Sequence, residues 1–212
     1  FERLRRVLNA LSKGLIFIDE ADTQLGGVGA DAHPTERRLT GRIQSMMSDP
    51  QMRGRVIWLL VTARIHLLSP DLRRPGRAGD LIIPVLDPEG SDVDDFLTWV
   101  VKPVLGQTPS AEQIGTLKTL THSYSAASYA GLRSELKALA HRLERDLTFD
   151  QILETLQDHL PPAIADTRRY QTLQALLNCT RRRLLPAKAQ AHPEERQRWE
   201  AELIQLERQG IS

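Results

Sequence analysis

The chain has 212 residues, with 28 Lys and Arg against 27 Asp and Glu, a net charge of +1 and 41% hydrophobic residues. That apolar share suffices for a packed core, and the charge balance gives no global attraction for nucleic acid or an anionic membrane. Its one cysteine, Cys179, excludes an internal disulfide framework and fits a reducing, cytoplasmic setting; no apolar run approaches the ~20 residues that cross a bilayer. No signal peptide is visible, and a first residue of Phe1 leads us to expect an excised piece of something longer.

In chain order, Leu4, Val7, Leu8 and Leu11 recur at helical spacing and predict a helix that Lys13-Gly14 stops. Leu15-Ile16-Phe17-Ile18 is a continuous apolar run, which reads as a strand buried on both faces. It ends in Asp19-Glu20. A Gly-rich loop follows over 25–34, and Thr35 is expected to cap a second helix with the stripe Leu39, Ile43, Met46 and Met47, broken by Asp49-Pro50. Residues 56–61 form a second apolar run and a second buried strand, so strand, helix, strand predicts a parallel crossover. Residues 81–85 predict a third, shorter strand, and Pro84 suggests an edge or a strand end.

Beyond Asp87-Pro88-Glu89-Gly90 every segment reads as helical. Ser91 with Asp94, Ser110 with Gln113, and Thr148 with Gln151 have capping-box spacing, and Ser125 caps a longer helix reaching about 141–145. Pro161-Pro162 ends the fourth of these helices, which together make a small bundle. Two more follow: one carries Tyr170, Leu173, Leu176 and Leu177 on a face, the other starts at Pro193 and presents Trp199, Leu203 and Leu206. The expected fold class is therefore α/β followed by all-α. Its expected divisions are 1–90, 91–160 and 161–212.

Two segments carry chemistry. Buried charge at a strand end is costly without a partner or a metal, so Asp19-Glu20 calls for a function. In nucleotide-hydrolysing folds such a strand end is the Walker B element, one carboxylate serving Mg²⁺ and the other the attacking water. Leu72-Arg73-Arg74-Pro75-Gly76-Arg77 sets three guanidiniums around a rigid turn, a cluster suited to phosphate or carboxylate on another surface.

Taken together, residues 1–143 resemble the latter part of an AAA (AAA+) ATPase module. Residues 15–22 look like the family's hhhhDExD Walker B, Glu36-Arg37-Arg38 its Glu-Arg-Arg, 56–64 its sensor-1 strand and 71–77 its arginine-finger segment. Ser125-Ala126-Ala127-Ser128-Tyr129 sits where the family's lid helix begins. The resemblance implies a partial P-loop NTPase-type parallel sheet with a helical-bundle lid and a helical extension. It implies Asp19 as the carboxylate associated with Mg²⁺ through ATP, Glu20 as the water-orienting one, and Arg77 as the finger reaching a neighbouring subunit's nucleotide. Thr62 and Ala63 would lie at the sensor-1 position and Ala127 near the adenine, while 26–34 would face a central pore and Arg73 and Arg74 would brace the subunit interface. ATP and Mg²⁺ are the implied cofactors, and a ring, taken as a hexamer, is the implied assembly. The implied function is ATP hydrolysis coupled to remodelling a macromolecule, most naturally a protein and not nucleic acid.

Departures stand beside the matches. Ala63 replaces the usual Asn, Asp80 a second arginine, and Ser128 the lid's acid. Arg133 could echo the sensor-2 arginine of clamp-loader relatives, though an exposed helix residue is the plainer reading. No G-x-x-x-x-G-K-[ST] occurs, so this chain alone is expected to be inactive, the phosphate-binding loop lying upstream of Phe1. Asp19-Glu20-Ala21-Asp22 also spells the DEAD-box helicase motif, but no second parallel-sheet domain follows. A degenerate AAA-like scaffold or adaptor without hydrolysis is the alternative. Arg181-Arg182-Arg183, read in the last turn of a helix, suits its dipole. Cys179 reads as a packing residue, and the six histidines lack ligand spacing.

Overall fold

A computed structural model describes residues 2–25, 34–159 and 163–211, with side chains omitted at 34–37. The expected loop at 26–33, the Pro161-Pro162 stop and the side chains of Glu36 and Arg37 lie outside the described residues. The chain divides into two compact units, one of Phe1–Val85 with Ile164–Ser212 and one of Leu86–Ala163.

The first unit opens with α1 (Glu2–Ala10), β1 (Gly14–Ile18), α2 (Ala21–Leu25), α3 (Pro34–Met47) and β2 (Val56–Leu60). β1 and β2 pair in parallel, Gly14 opposite Val56 through Ile18 opposite Leu60, as the crossover pattern predicts. Because side chains alternate along a strand, each strand sends every second residue to one face. Ile16, Ile18, Val56, Trp58 and Leu60 pack on the helices, against Leu8, Met46 and Met52 at one end and Ala21, Leu25, Ile43, Met47, Leu68 and Leu72 at the other. On the opposite face Leu15, Phe17, Ile57 and Leu59 are 44% to 64% exposed. The apolar runs predicted cover on both faces; among the described residues one face has it.

Three local expectations are corrected. α3 begins at Pro34, whose fixed φ suits the first helical position, so Thr35 lies inside the helix and does not cap it. α4 (Ser91–Leu105) is preceded by Gly90 at φ 60°, with no side-chain cap, so Ser91 is its first residue. Residues 81–85 do not form a strand. Ile82 is anchored to Thr180: its N–H donates to Thr180 Oγ1 at 2.9 Å and its carbonyl accepts from Thr180 N–H at 3.4 Å. A single residue gives no ladder, and Pro84 has no N–H to extend one.

The rest of the first unit is helical. α8 (Ala165–Asn178) packs on a 3₁₀ turn at Ile65–Leu67, just after β2, and α10 (Glu195–Arg208) packs on α8; α9 (Ala187–Ala191) lies between them in sequence. Tyr170, Leu173, Leu176, Trp199 and Leu206 are buried, and Arg169 grips Glu202 through two 2.6 Å bonds. α8 stops at Asn178, so Arg181-Arg182-Arg183 lie beyond its last turn, and Arg182 donates instead to the Gln190 carbonyl.

In the second unit, α4, α5 (Ala111–Leu120), α6 (Ala126–Leu143) and α7 (Phe149–Asp158) form the bundle. Leu97, Val100, Val101, Val104, Tyr129, Leu132, Leu136 and Ile152 fill its centre. Reciprocal capping boxes at Ser110/Gln113 and Thr148/Gln151, and the Ser125 hydroxyl accepting from Ser128 N–H, start α5, α7 and α6 as predicted. Among the described residues no helix is long and apolar enough to cross a membrane.

Thr148→Ala removes the acceptor for Gln151 N–H and should destabilise the second unit by about 1 kcal/mol, read as a lower urea midpoint at unchanged slope.

Candidate functional site

β1 ends at Ile18, and the chain then turns sharply. Glu20 has φ 48°, a left-handed conformation uncommon for a residue with a side chain. The turn is held by local bonds: Glu20 N–H donates to Asp19 Oδ1 at 2.9 Å, and the Glu20 carbonyl accepts from Thr23 and Gln24 N–H as α2 begins. Val61 N–H to the Ile18 carbonyl and Ala21 N–H to the Val61 carbonyl, each 2.9 Å, continue the parallel pairing past the strand end. Asp19 and Glu20 are both exposed there.

Beside them lies a polar clamp that the sequence reading did not assign. Asp22, on α2, is 7% exposed. Its Oδ1 accepts from Thr62 Oγ1 at 2.5 Å, and its Oδ2 accepts from Arg64 Nε at 2.8 Å and pairs with Nη2 at 2.6 Å. Thr62 Oγ1 also accepts from Arg64 N–H at 2.9 Å, and Arg64 Nη2 reaches Thr23 Oγ1 at 3.3 Å. Burial is the largest single influence on this carboxyl and works to raise its pKa. The Thr62 hydroxyl, the Asp22 backbone N–H and the Arg64 guanidinium together outweigh it and hold the pKa below the usual value. The Thr62 hydroxyl is thus engaged with Asp22 and Arg64, and Ala63 beside it is exposed. The available signal was the last acid of Asp-Glu-Ala-Asp, two residues beyond Glu20.

The arginine segment is also more tied down than a free basic loop. Arg77 is half-buried; its Nε donates to Ser48 Oγ at 3.1 Å and its Nη1 to the Asp71 carbonyl at 2.9 Å. Arg74 is exposed and pairs with Asp71 at 3.2 Å. Asp80, which stands where the resemblance led us to look for an arginine, instead accepts from Gly76 N–H at 2.6 Å and closes the Pro-Gly turn. Gly76 needs its φ of 83° for that turn, and a Cβ on Gly79 would collide with the Arg73 carbonyl. Arg73 Nη1 donates to Asn178 Oδ1 at 3.0 Å.

The structure therefore brings Asp19, Glu20, Thr62 and Ala63 to neighbouring strand ends and places Arg77 within the same unit. Ala127 lies in the second unit, exposed in the first turn of α6. Arg133 is engaged there: its guanidinium stacks 4.3 Å from the Trp99 ring centroid and its Nε donates to the Trp99 carbonyl at 3.1 Å. Cys179 is half-buried and free. Among the described residues no group of three or more His, Cys, Asp or Glu could hold a metal ion. A pair of adjacent carboxylates does suit Mg²⁺ carried on phosphates, since that ion keeps its waters and takes only one or two protein carboxylates.

An acid pair thus follows a parallel strand, a second strand ends beside it, and an arginine turn lies in the same unit. Residues 1–84 match the family model described as ATPase family associated with various cellular activities (AAA), and the chain carries a segment of that family. Relatives agree. Protein CdcH of Halobacterium salinarum is 30% identical over 154 residues, covering 70% of this chain and 20% of its own. The cell division cycle protein 48 homolog of Archaeoglobus fulgidus is 30% identical over 152 residues (69% and 20%). ATPase family gene 2 protein of Saccharomyces cerevisiae is 27% identical over 175 residues (78% and 22%). The chain thus spans about a fifth of the length of the curated relatives it matches.

Because the folded pKa of Asp22 lies below its unfolded value of 3.8, its contribution to stability is complete above that value and is lost as pH falls through the folded one. Asp22→Asn should cost the first unit about 1–3 kcal/mol near neutrality, the lower part applying because Arg64 is half-exposed. It should also flatten the acid limb of a stability-against-pH curve measured by urea unfolding.

Proposed function

We propose that this chain supplies part of an ATP-hydrolysing site shared between neighbouring subunits of a ring, coupling turnover to the remodelling of a macromolecule, a protein in the first instance. The observation that carries the reading is the position of Asp19 and Glu20, exposed on the turn that leaves the carboxyl end of a parallel strand. Bound Mg²⁺ would supply charge neutralisation at the transferring phosphoryl group. Asp19 would hold that ion through the nucleotide. Glu20 would orient the attacking water and accept its proton. Thr62 and Ala63 would border the phosphates from the end of β2, and the family resemblance gives Ala127 the role of a residue near adenine. Arg77 would reach the nucleotide of the next subunit by exchanging its bonds to Ser48 and Asp71 for phosphate oxygens, a swap of neutral acceptors for charged ones.

A second reading, a ring subunit that assembles but does not hydrolyse, draws on one observation. The end of β2 offers no free amide: Ala63 has none, and the hydroxyl of Thr62 serves Asp22.

Two experiments on the full-length protein separate these readings. Glu20→Gln should retain ATP binding and lower steady-state phosphate release by about two to four orders of magnitude, the usual weight of a lost base. Undiminished release would remove Glu20 from the mechanism, and no release from the wild type would favour the scaffold. Mixing Arg77→Ala subunits with wild type should depress turnover in the wild-type neighbours; effects confined to the altered subunit would reject a finger acting in trans.

A further inference from the structure

The carboxyl-terminal helices hold the arginine turn at both of its flanks. On the near side, Arg73 Nη1 donates to Asn178 Oδ1 at 3.0 Å, and the Asn178 amide is itself oriented by its Nδ2 bond to the Gln174 carbonyl at 2.9 Å. On the far side, Ile82 N–H donates to Thr180 Oγ1 at 2.9 Å and the Ile82 carbonyl accepts from Thr180 N–H at 3.4 Å. Asn178 and Thr180 are two residues apart, at the end of α8, so one short stretch grips the loop on either side of Arg74-Pro75-Gly76-Arg77. α8 is fixed in turn on the segment after β2. The edge of His66 meets the buried Tyr170 ring at 5.2 Å between centroids. Inside the grip the turn has little freedom, since Gly79 lies against the Arg73 and Arg74 carbonyls and Asp80 caps Gly76 N–H.

We propose that Asn178 and Thr180 are positioning residues for the arginine turn, and that the carboxyl-terminal helices act as the brace that sets where Arg74 and Arg77 are presented. The functional meaning of that brace rests on the reading in which an arginine of this turn serves a neighbouring nucleotide. The mechanical claim does not need it. The grip consists of two side-chain acceptors and one backbone bond. Removing the acceptors should therefore loosen residues 73–82 while leaving the packing of α8 on α10 and of β1 on β2 in place. A carboxylate at 178 keeps a charge-assisted acceptor for Arg73 while giving up the donor to the Gln174 carbonyl.

The test uses the full 212-residue chain without nucleotide. Asn178→Leu with Thr180→Val removes both acceptors, whereas Asn178→Asp with Thr180→Ser keeps them. Tryptic cleavage after Arg77 under native conditions should accelerate roughly tenfold in the first pair, the loss expected for a hydrogen bond to a charged group, and stay near wild type in the second. Amide hydrogen exchange in β1 and α3 should be the same in all three proteins. Unchanged cleavage, equally fast cleavage in the Asp/Ser pair, or exchange that rises throughout the unit would each overturn the proposal. Should the Leu/Val pair fail to fold, Thr180→Val alone carries the comparison against Thr180→Ser. Turnover in the full-length protein is a separate reading. A loosened turn with undisturbed hydrolysis would count against an arginine acting in trans and leave the brace standing.

Discussion

The first unit depends on a buried carboxylate. Asp22 would be expensive to bury alone, and three donors from the far end of β2 make it tolerable. Since Asp22 follows Glu20 by only two residues, the same bonds fix the turn at the end of β1 against the end of β2. The left-handed Glu20 belongs to that turn, and a residue in so sparsely populated a conformation persists where the surroundings over-determine it. Packing alone would not settle this geometry, because apolar contacts lack the directionality of a two-oxygen acceptor facing a hydroxyl and a guanidinium.

A second constraint works at the arginine turn. Three guanidiniums close together repel, and each is given its own acceptor: Asn178 for Arg73, Asp71 for Arg74, Ser48 and a carbonyl for Arg77. The acceptors come from three different stretches of chain, around residues 48, 71 and 178, and the last ties a helical extension distant in sequence to the α/β segment. His66 sits among these charges. Burial first, then repulsion by Arg64 and Arg73, lowers its pKa, while Asp22 and Glu207 oppose that shift. Adding a further cation there is therefore unfavourable, and the contact with Tyr170 is made by a neutral ring.

Periodicity and capping spacing revealed the elements well where local chemistry decides the outcome. The parallel crossover follows from two apolar runs flanking a helix, and the Ser110, Ser125 and Thr148 caps from side chains that bond within four residues. Elements settled by distant partners were not legible. Residues 81–85 have strand-like composition, yet Ile82 bonds to Thr180 and not to a neighbouring strand, and nothing local announces that partner. Thr35 and Ser91 have capping chemistry, but Pro34 and Gly90 fix the backbone one residue earlier. For the site, motif order located the acids and the arginines. It gave no hint that Thr62 is engaged by Asp22 or that Asp80 closes a turn, since those roles depend on distances across the fold.

The bare face of the sheet has a practical corollary. Leu15, Phe17, Ile57 and Leu59 stand side by side, largely wetted, on the two described strands. An apolar surface of this kind lowers solubility wherever water is its neighbour, and aspartate or lysine at Phe17 or Ile57 would relieve that without touching the core beneath.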